Sequence, residues 1–147
     1  MSIEYISKTP CETFTIGEKL GASLVCGDVV LLFGGLGAGK TLLAKGILQA
    51  FQFDVDEVTS PSFTLVNRYE TASFDVYHID LWRLNGKIDA GAAVGLGDIL
   101  ETKNAVTIIE WADRLGEFSS SNTAIRVMIE GDGDEPRKIL VEHKNTN

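Results

Sequence analysis

Apolar residues fall along this chain in two kinds of stretch. Residues 29–33 (Val-Val-Leu-Leu-Phe) form a short unbroken apolar run, and residues 105–109 (Ala-Val-Thr-Ile-Ile) form a second that ends at Glu110. Runs of that length, without polar alternation, are expected of strands buried on both faces. Helical spacing governs residues 10–25, where Phe14, Gly17, Leu20, Gly21 and Leu24 share one face. Thr9 precedes that stretch as a capping residue, Pro10 suits the first helical position, and Glu12 is placed to reach back. Gly27 stands just past its end. A second helix is expected over residues 40–51 and a Gly/Ala-rich helical stretch over residues 88–100.

Strand-forming residues at 63–69 and 74–81, joined by Glu70-Thr71-Ala72-Ser73, predict a hairpin. Residues 3–6 predict a first strand, and residues 124–130 and 137–143 a closing hairpin around Gly131-Asp132-Gly133-Asp134. Ser119-Ser120-Ser121-Asn122 reads as a further turn. The expected class is therefore α/β, with a mixed sheet of parallel central strands and antiparallel hairpins. A length of 147 residues fits one domain spanning residues 1–147, on the usual scale of roughly 150 residues per domain.

Between the first apolar run and the helix after it lies Gly34-Gly35-Leu36-Gly37-Ala38-Gly39-Lys40-Thr41, which matches G-x-x-x-x-G-K-[ST]. This context, strand then helix, is what a phosphate-binding loop requires and points to a P-loop NTPase-type three-layer domain. Glycines let successive backbone N–H groups turn inward on an anion. Lys40 can place its ammonium on the β- and γ-phosphates of a nucleotide, and Thr41 can offer its hydroxyl to Mg²⁺. The helix that starts here aims its positive dipole end at the same charge.

Such a site also needs a carboxylate at the end of a neighbouring strand, and Glu110 supplies one. Asp80, after Val76-Tyr77-His78-Ile79, is the second carboxylate of interest. Either it faces the γ-phosphate as metal partner or water-orienting residue, or it caps the turn beyond. His78 alternates with apolar neighbours and reads as a core or edge histidine rather than a catalytic one. Trp111 reads as packing, with a lid over the metal site as the alternative. The hydroxyl-rich segment Thr59-Ser60-Pro61-Ser62-Phe63-Thr64 can order around a γ-phosphate as a switch, or serve as a plain turn.

Charge narrows the partners. Thirteen Lys and Arg against 21 Asp and Glu give a net charge of −8 and a pI near 4.7. A protein that grips nucleic acid alone needs a basic face, so a nucleic-acid role would require another subunit to hold the polymer. No run reaches the roughly 20 apolar residues of a membrane span, and the first residues do not resemble a signal peptide. Two cysteines, Cys11 and Cys26, are too few for a disulfide scaffold and read as reduced thiols of a cytoplasmic protein.

Four segments together resemble one family: the P-loop, Ser60-Pro61-Ser62-Phe63-Thr64-Leu65-Val66, His78-Ile79-Asp80-Leu81-Trp82-Arg83-Leu84, and Ile109-Glu110-Trp111. In order and over nearly the whole chain they resemble TsaE, the small ATPase of bacterial tRNA threonylcarbamoyladenosine synthesis. The resemblance implies slow hydrolysis of ATP, with Mg²⁺, by a monomer in isolation. It implies action with TsaB and TsaD, and contact with tRNA only within that complex. The resemblance further implies that TsaD transfers a threonylcarbamoyl group, made as an adenylate by TsaC, to the adenosine beside the anticodon, and that ATP hydrolysis would reset the complex rather than perform the transfer. By matching position, Leu36, Gly37, Ala38, Gly39, Lys40 and Thr41 would wrap the phosphates, and Thr41 and Glu110 would hold Mg²⁺. Asp80 and Trp111, with Lys40 and Glu110, would serve hydrolysis or its coupling. Thr9, Pro10 and Gly133 match regions that flank the nucleotide, more loosely. The chain departs from the family pattern at Ser62 (often Thr), Trp82 (often Tyr) and Arg68 (often Glu).

Two other readings stay open on the residues themselves. A small-molecule kinase on a P-loop fold usually needs a lid with several arginines, and the five here are scattered at 68, 83, 114, 126 and 137. A nucleotide-gated binding module would sense ATP with little turnover. A GTPase would carry an Asn-Lys-x-Asp segment, which the sequence lacks.

Overall fold

A computed structural model describes residues 2–84, 89–116 and 123–144. The turn expected at Ser119-Ser120-Ser121-Asn122 lies outside the described residues. One seven-stranded sheet runs through the molecule in the order β1-β7-β6-β2-β5-β4-β3. Its strands are β1 (Ser2–Ser7), β2 (Val29–Gly34), β3 (Val66–Glu70), β4 (Asp75–Asp80), β5 (Ala105–Glu110), β6 (Ala124–Glu130) and β7 (Arg137–Lys144). The centre is parallel: β2 pairs with both β5 and β6, and β4 pairs with β5. The additions are antiparallel, β3 on β4, β7 on β6 and β1 on β7. The expected mixed sheet is thus observed.

Helices cover both faces, giving three layers. On one face, α1 (Pro10–Ser23) and α2 (Lys40–Ala50) bury Ile16, Leu20, Leu43, Ile47 and Leu48 against Val30, Leu32, Ile108 and Val127. On the other, α3 (Ala90–Val94), α4 (Leu96–Leu100) and a 3-10 turn (Ala112–Leu115) bury Ala90, Leu96 and Ala112 against Val29, Leu31, Ile79 and Ile109. Neighbouring residues of β2 therefore face opposite cores, which is why its run carries no polar alternation. Where α1 crosses α2, Gly17 and Gly46 let the two backbones meet. A Cβ on Gly17 would collide with the Leu43 carbonyl, and one on Gly46 with the Phe14 carbonyl.

Four expectations need correction. The first helix stops at Ser23 rather than near residue 25, because Leu24 turns extended and the Val25 N–H goes to the Asp28 carboxylate at 2.8 Å. Its buried face also differs, taking in Thr13 and Ile16, while Phe14 is only half-buried. The stretch expected as one helix to Leu100 is two short ones in its described part, broken where Gly95 takes φ +68°. The hairpin strand expected from Phe63 starts at Val66 instead. Residues 61–65 form a turn closed by the Leu65 N–H on the Pro61 carbonyl at 2.8 Å, with Leu65 at φ +69°.

Candidate nucleotide site

The carboxyl ends of β2, β4 and β5 meet at one edge of the sheet. After β2 the chain enters the glycine-rich loop, where Gly37 and Gly39 take φ +77° and +115° on either side of the buried Ala38. Left-handed residues interleaved with ordinary ones turn successive N–H groups into one concavity, and Cβ atoms at those two positions would be strained. Gly39 also starts α2, whose first N–H groups have no partner within the helix. The loop thus offers an anion a backbone cradle and a helix dipole together.

Lys40 is 5% exposed, and its Nζ donates to the carbonyls of Gly34 and Gly35 at 2.8 Å each. Burial pushes its ammonium below the usual lysine range, against the opposing pull of Glu110, Asp80 and Asp113. The same Nζ lies 3.9 Å from the ring centre of Trp111, a cation–π contact. Trp111 adopts φ 57°, ψ 44°, an uncommon conformation for a bulky residue. That turn, directly after β5, brings its indole over Lys40 and against Trp82, with ring centres 4.4 Å apart.

Glu110 is 2% exposed at the end of β5. Its Oε1 accepts from the Thr41 hydroxyl at 2.8 Å, and its Oε2 lies 2.5 Å from His78 Nε2. Asp80 is 4% exposed and faces the same space from β4, in register with Glu110. Of the two roles weighed for Asp80, the structure shows the turn cap. Its Oδ1 caps the turn by accepting the Trp82 N–H at 2.9 Å, and its Oδ2 accepts the hydroxyls of Ser60 and Ser62 at 3.4 and 3.3 Å. The hydroxyl-rich loop is therefore tied to the strand-end carboxylate. A cleft of about 250 Å³ runs between these groups, lined by Leu36, Gly37, Lys40, Thr41, Ser60, Ser62, Asp80, Trp82, Glu110 and Trp111.

A second cleft of about 240 Å³ opens on the other side of the loop. Thr9 and Pro10 from the start of α1, Gly37 to Gly39, and Gly133 from the β6–β7 turn line it together. Arg137 fastens that turn to the loop. Its Nε donates to the Ala38 carbonyl at 3.1 Å, and its terminal nitrogens reach the carbonyls of Gly37, Gly133 and Glu135. The residues expected to wrap the phosphates, hold Mg²⁺, serve hydrolysis or flank the nucleotide therefore line one or other of these clefts, whereas His78, Thr59, Phe63 and Thr64 line neither.

Among the described residues no group of three or more His, Cys, Asp or Glu side chains could hold a metal ion. The chemistry of the donors present fits Mg²⁺ nonetheless. A hydroxyl and a carboxylate are hard oxygen ligands, and Mg²⁺ typically takes one or two carboxylates and completes its shell with water and phosphate oxygens. The 2.8 Å between Thr41 Oγ1 and Glu110 Oε1 is close to the roughly 2.9 Å edge of a Mg²⁺ octahedron.

Sequence reasoning missed two contributors. His78, read there as a core or edge histidine, is indeed fully buried, yet it contacts the candidate metal carboxylate. Its signal was the two-residue step to Asp80, which puts both on one face of a strand. Arg137 had no local signal for its hold on the loop, because Gly37 and Ala38 lie 100 and 99 residues away along the chain.

A family model described as threonylcarbamoyl adenosine biosynthesis protein TsaE matches residues 7–139. A protein of Mycobacterium tuberculosis named tRNA threonylcarbamoyladenosine biosynthesis protein TsaE is 38% identical over 115 residues, covering 72% of this chain and 66% of that protein. The matched part thus spans slightly under two thirds of that relative. A protein of the same name from Bacillus subtilis is 31% identical over 137 residues, covering 93% of this chain and 83% of the relative. The crystal structure of Bacillus subtilis YdiB is similar at a TM-score of 0.75 and 27% identity, over 96% of this chain and 84% of that one.

Proposed function

This chain belongs to the TsaE family, and from that premise we propose that it is a Mg²⁺-dependent ATP hydrolase serving threonylcarbamoyladenosine formation in tRNA. The observation that carries the reading is the Thr41–Glu110 hydrogen bond at the start of α2, with Lys40 beside it in the loop. The loop N–H groups and Lys40 hold the β- and γ-phosphates. Thr41 and Glu110 hold Mg²⁺, which when bound neutralises charge on the transferring phosphoryl group. Asp80 orients the attacking water, and its ties to Ser60 and Ser62 let the loop at residues 59–64 respond to the γ-phosphate. Trp111 and Trp82 shield the reacting phosphate from bulk water. The second cleft, with Thr9, Pro10 and Gly133, takes the nucleoside.

TsaB and TsaD are the proposed partners, in the cytoplasm, and tRNA is reached only through them; a chain of net charge −8 is poorly suited to hold RNA alone. In isolation the protein is a monomer. Among the described residues no helix is long and apolar enough to cross a membrane. The kinase reading finds less support, since no arginine is among the described residues lining the cleft at Thr41.

The test is phosphate release from Mg²⁺-ATP by the purified protein, alone and then with TsaB, TsaD and tRNA. Slow hydrolysis that rises with the partners is expected. Hydrolysis indifferent to them, or phosphate passed to an added metabolite, would overturn the proposal.

A further inference from the structure

Glu110 is held at both carboxylate oxygens, and only one of the two holders belongs to the loop motif. Oε1 meets Thr41; Oε2 meets His78 Nε2 at 2.5 Å. The register of β4 on β5 explains the reach. His78 pairs with Ile108 and Asp80 with Glu110, so the imidazole lies one step behind the carboxylate on the face that packs against α2. Both groups are buried, His78 at 0% and Glu110 at 2% exposure, and Glu110 also lines the cleft. Among the described residues the other ring nitrogen, Nδ1, has no hydrogen-bond partner, so Glu110 is the one group there that the ring bonds. Tyr69 packs beside the ring, at 6.3 Å between centres.

We propose that His78 is a positioning residue for Glu110. It fixes Oε2 so that Oε1 stays at the Thr41 hydroxyl, where the two oxygens form the edge offered to Mg²⁺. The inference rests on the reading of Glu110 as a Mg²⁺ ligand. A glutamate has one more rotatable bond than an aspartate, and a carboxylate tethered only by Thr41 would swing about that contact. A second donor from a neighbouring strand removes the swing before the ion arrives. Supporting partners of this kind are typically worth about 10–100-fold in metal affinity.

The two tryptophans of the chain, Trp82 and Trp111, both line this cleft, so intrinsic fluorescence reports on it without a label. The experiment titrates Mg²⁺ into the full chain saturated with a non-hydrolysable ATP analogue. The expected result is a half-saturating Mg²⁺ concentration about 10–100-fold higher in His78→Leu than in the wild type. Affinity for the analogue in EDTA stays unchanged, and His78→Gln, which keeps a donor, recovers part of the loss. An unshifted Mg²⁺ midpoint in a folded His78→Leu, even with a lowered melting temperature, would overturn the proposal and leave the Mg²⁺ reading intact. A wild-type protein whose analogue-bound state ignores Mg²⁺ would overturn both. Should the leucine variant fail to fold, the wild-type ¹⁵N-histidine spectrum decides. The Nε2 resonance of His78 must move when Mg²⁺ is added to the analogue complex, and a stationary resonance refutes the role.

Discussion

The two clefts beside the glycine-rich loop are built by opposite means. On the phosphate side, Glu110 and Asp80 stand at the ends of buried parallel strands, 2% and 4% exposed, and every described carboxylate oxygen there has a partner. On the side proposed for the nucleoside, Thr9 and Pro10 lie at the exposed start of α1 and Gly133 on an exposed turn, and one arginine ties the β6–β7 turn to the loop. The first arrangement holds its charges in place, because strand ends cannot shift without disturbing both cores. The second rests on exposed backbone and one side chain. The proposed chemistry thus falls on strand ends held between two cores, and the proposed recognition on exposed turns.

Substitutions should therefore divide by side. The largest effect is expected from Lys40→Ala, which removes the buried ammonium from the phosphate side. Turnover should fall by about 100–1,000-fold, the scale for losing one preorganised group facing transition-state charge. Near-normal phosphate release in that variant would sink the phosphate-loop assignment altogether. Asp80→Asn comes next. The amide oxygen can still accept the Trp82 N–H, so the turn should survive while the charge is lost. Hydrolysis should drop by roughly 100-fold with ATP binding retained, as expected for a group that handles the attacking water. If binding is lost as well, Asp80 is a structural anchor, and the phosphate side loses its second functional carboxylate.

Arg137→Ala probes the other side. Its guanidinium spans the loop carbonyls and the Gly133 turn, but it is half-buried and contacts no carboxylate of the first cleft. The expected loss is one net charge-assisted hydrogen bond, about 1.5 kcal/mol, or roughly tenfold in ATP affinity. The turnover rate at saturating ATP should not change. Calorimetric binding alongside steady-state kinetics separates the two quantities. A fall in the saturated rate would show that the nucleoside side also sets the geometry of the phosphates, and the division between the clefts would dissolve.

The same division governs what the sequence could reveal. Strand, loop and helix around Lys40 are contiguous, so a local motif carries them, and an unbroken apolar run ending in one acid marks Glu110. The Glu110–His78 pairing was hidden because it depends on which strands become neighbours and in what register, and no spacing along the chain encodes that. Helix ends were misplaced where a side chain or a glycine overrides periodicity, as Asp28 does at Val25 and Gly95 does between α3 and α4. Phe63 carries strand propensity yet stays out of β3, since the turn starting at Pro61 consumes those residues. It is 82% exposed, with Arg83 4.1 Å from its ring centre. Arg68, unusual against the family pattern, has a local partner in Asp75 across the hairpin, at 2.7 Å. On the nucleoside side, Thr9 was legible as a helix cap, and its place beside Gly133 came only from resemblance.

Thr9 supplies the smallest and most discriminating prediction, because it belongs to the fold and to the nucleoside cleft at once. Its hydroxyl accepts the Glu12 N–H at 3.1 Å, and its carbonyl accepts the Thr13 N–H at 3.2 Å, which starts α1. Removing the hydroxyl orphans one N–H at an exposed helix end, a loss of about 1 kcal/mol. For a chain of this size that lowers the melting temperature by roughly 2–4 °C. Thr9→Ala should show that shift in a thermal melt with hydrolysis unchanged at saturating ATP, and Thr9→Ser should restore the melt. Because α1 packs on α2 through Gly17 and Gly46, any disturbance it transmits would reach Lys40 and Thr41 at the head of α2. A drop in the saturated rate of Thr9→Ala beyond what its stability explains would therefore expose mechanical coupling between the clefts. Its absence would mean that the α1–α2 contact insulates the phosphate side from its neighbour.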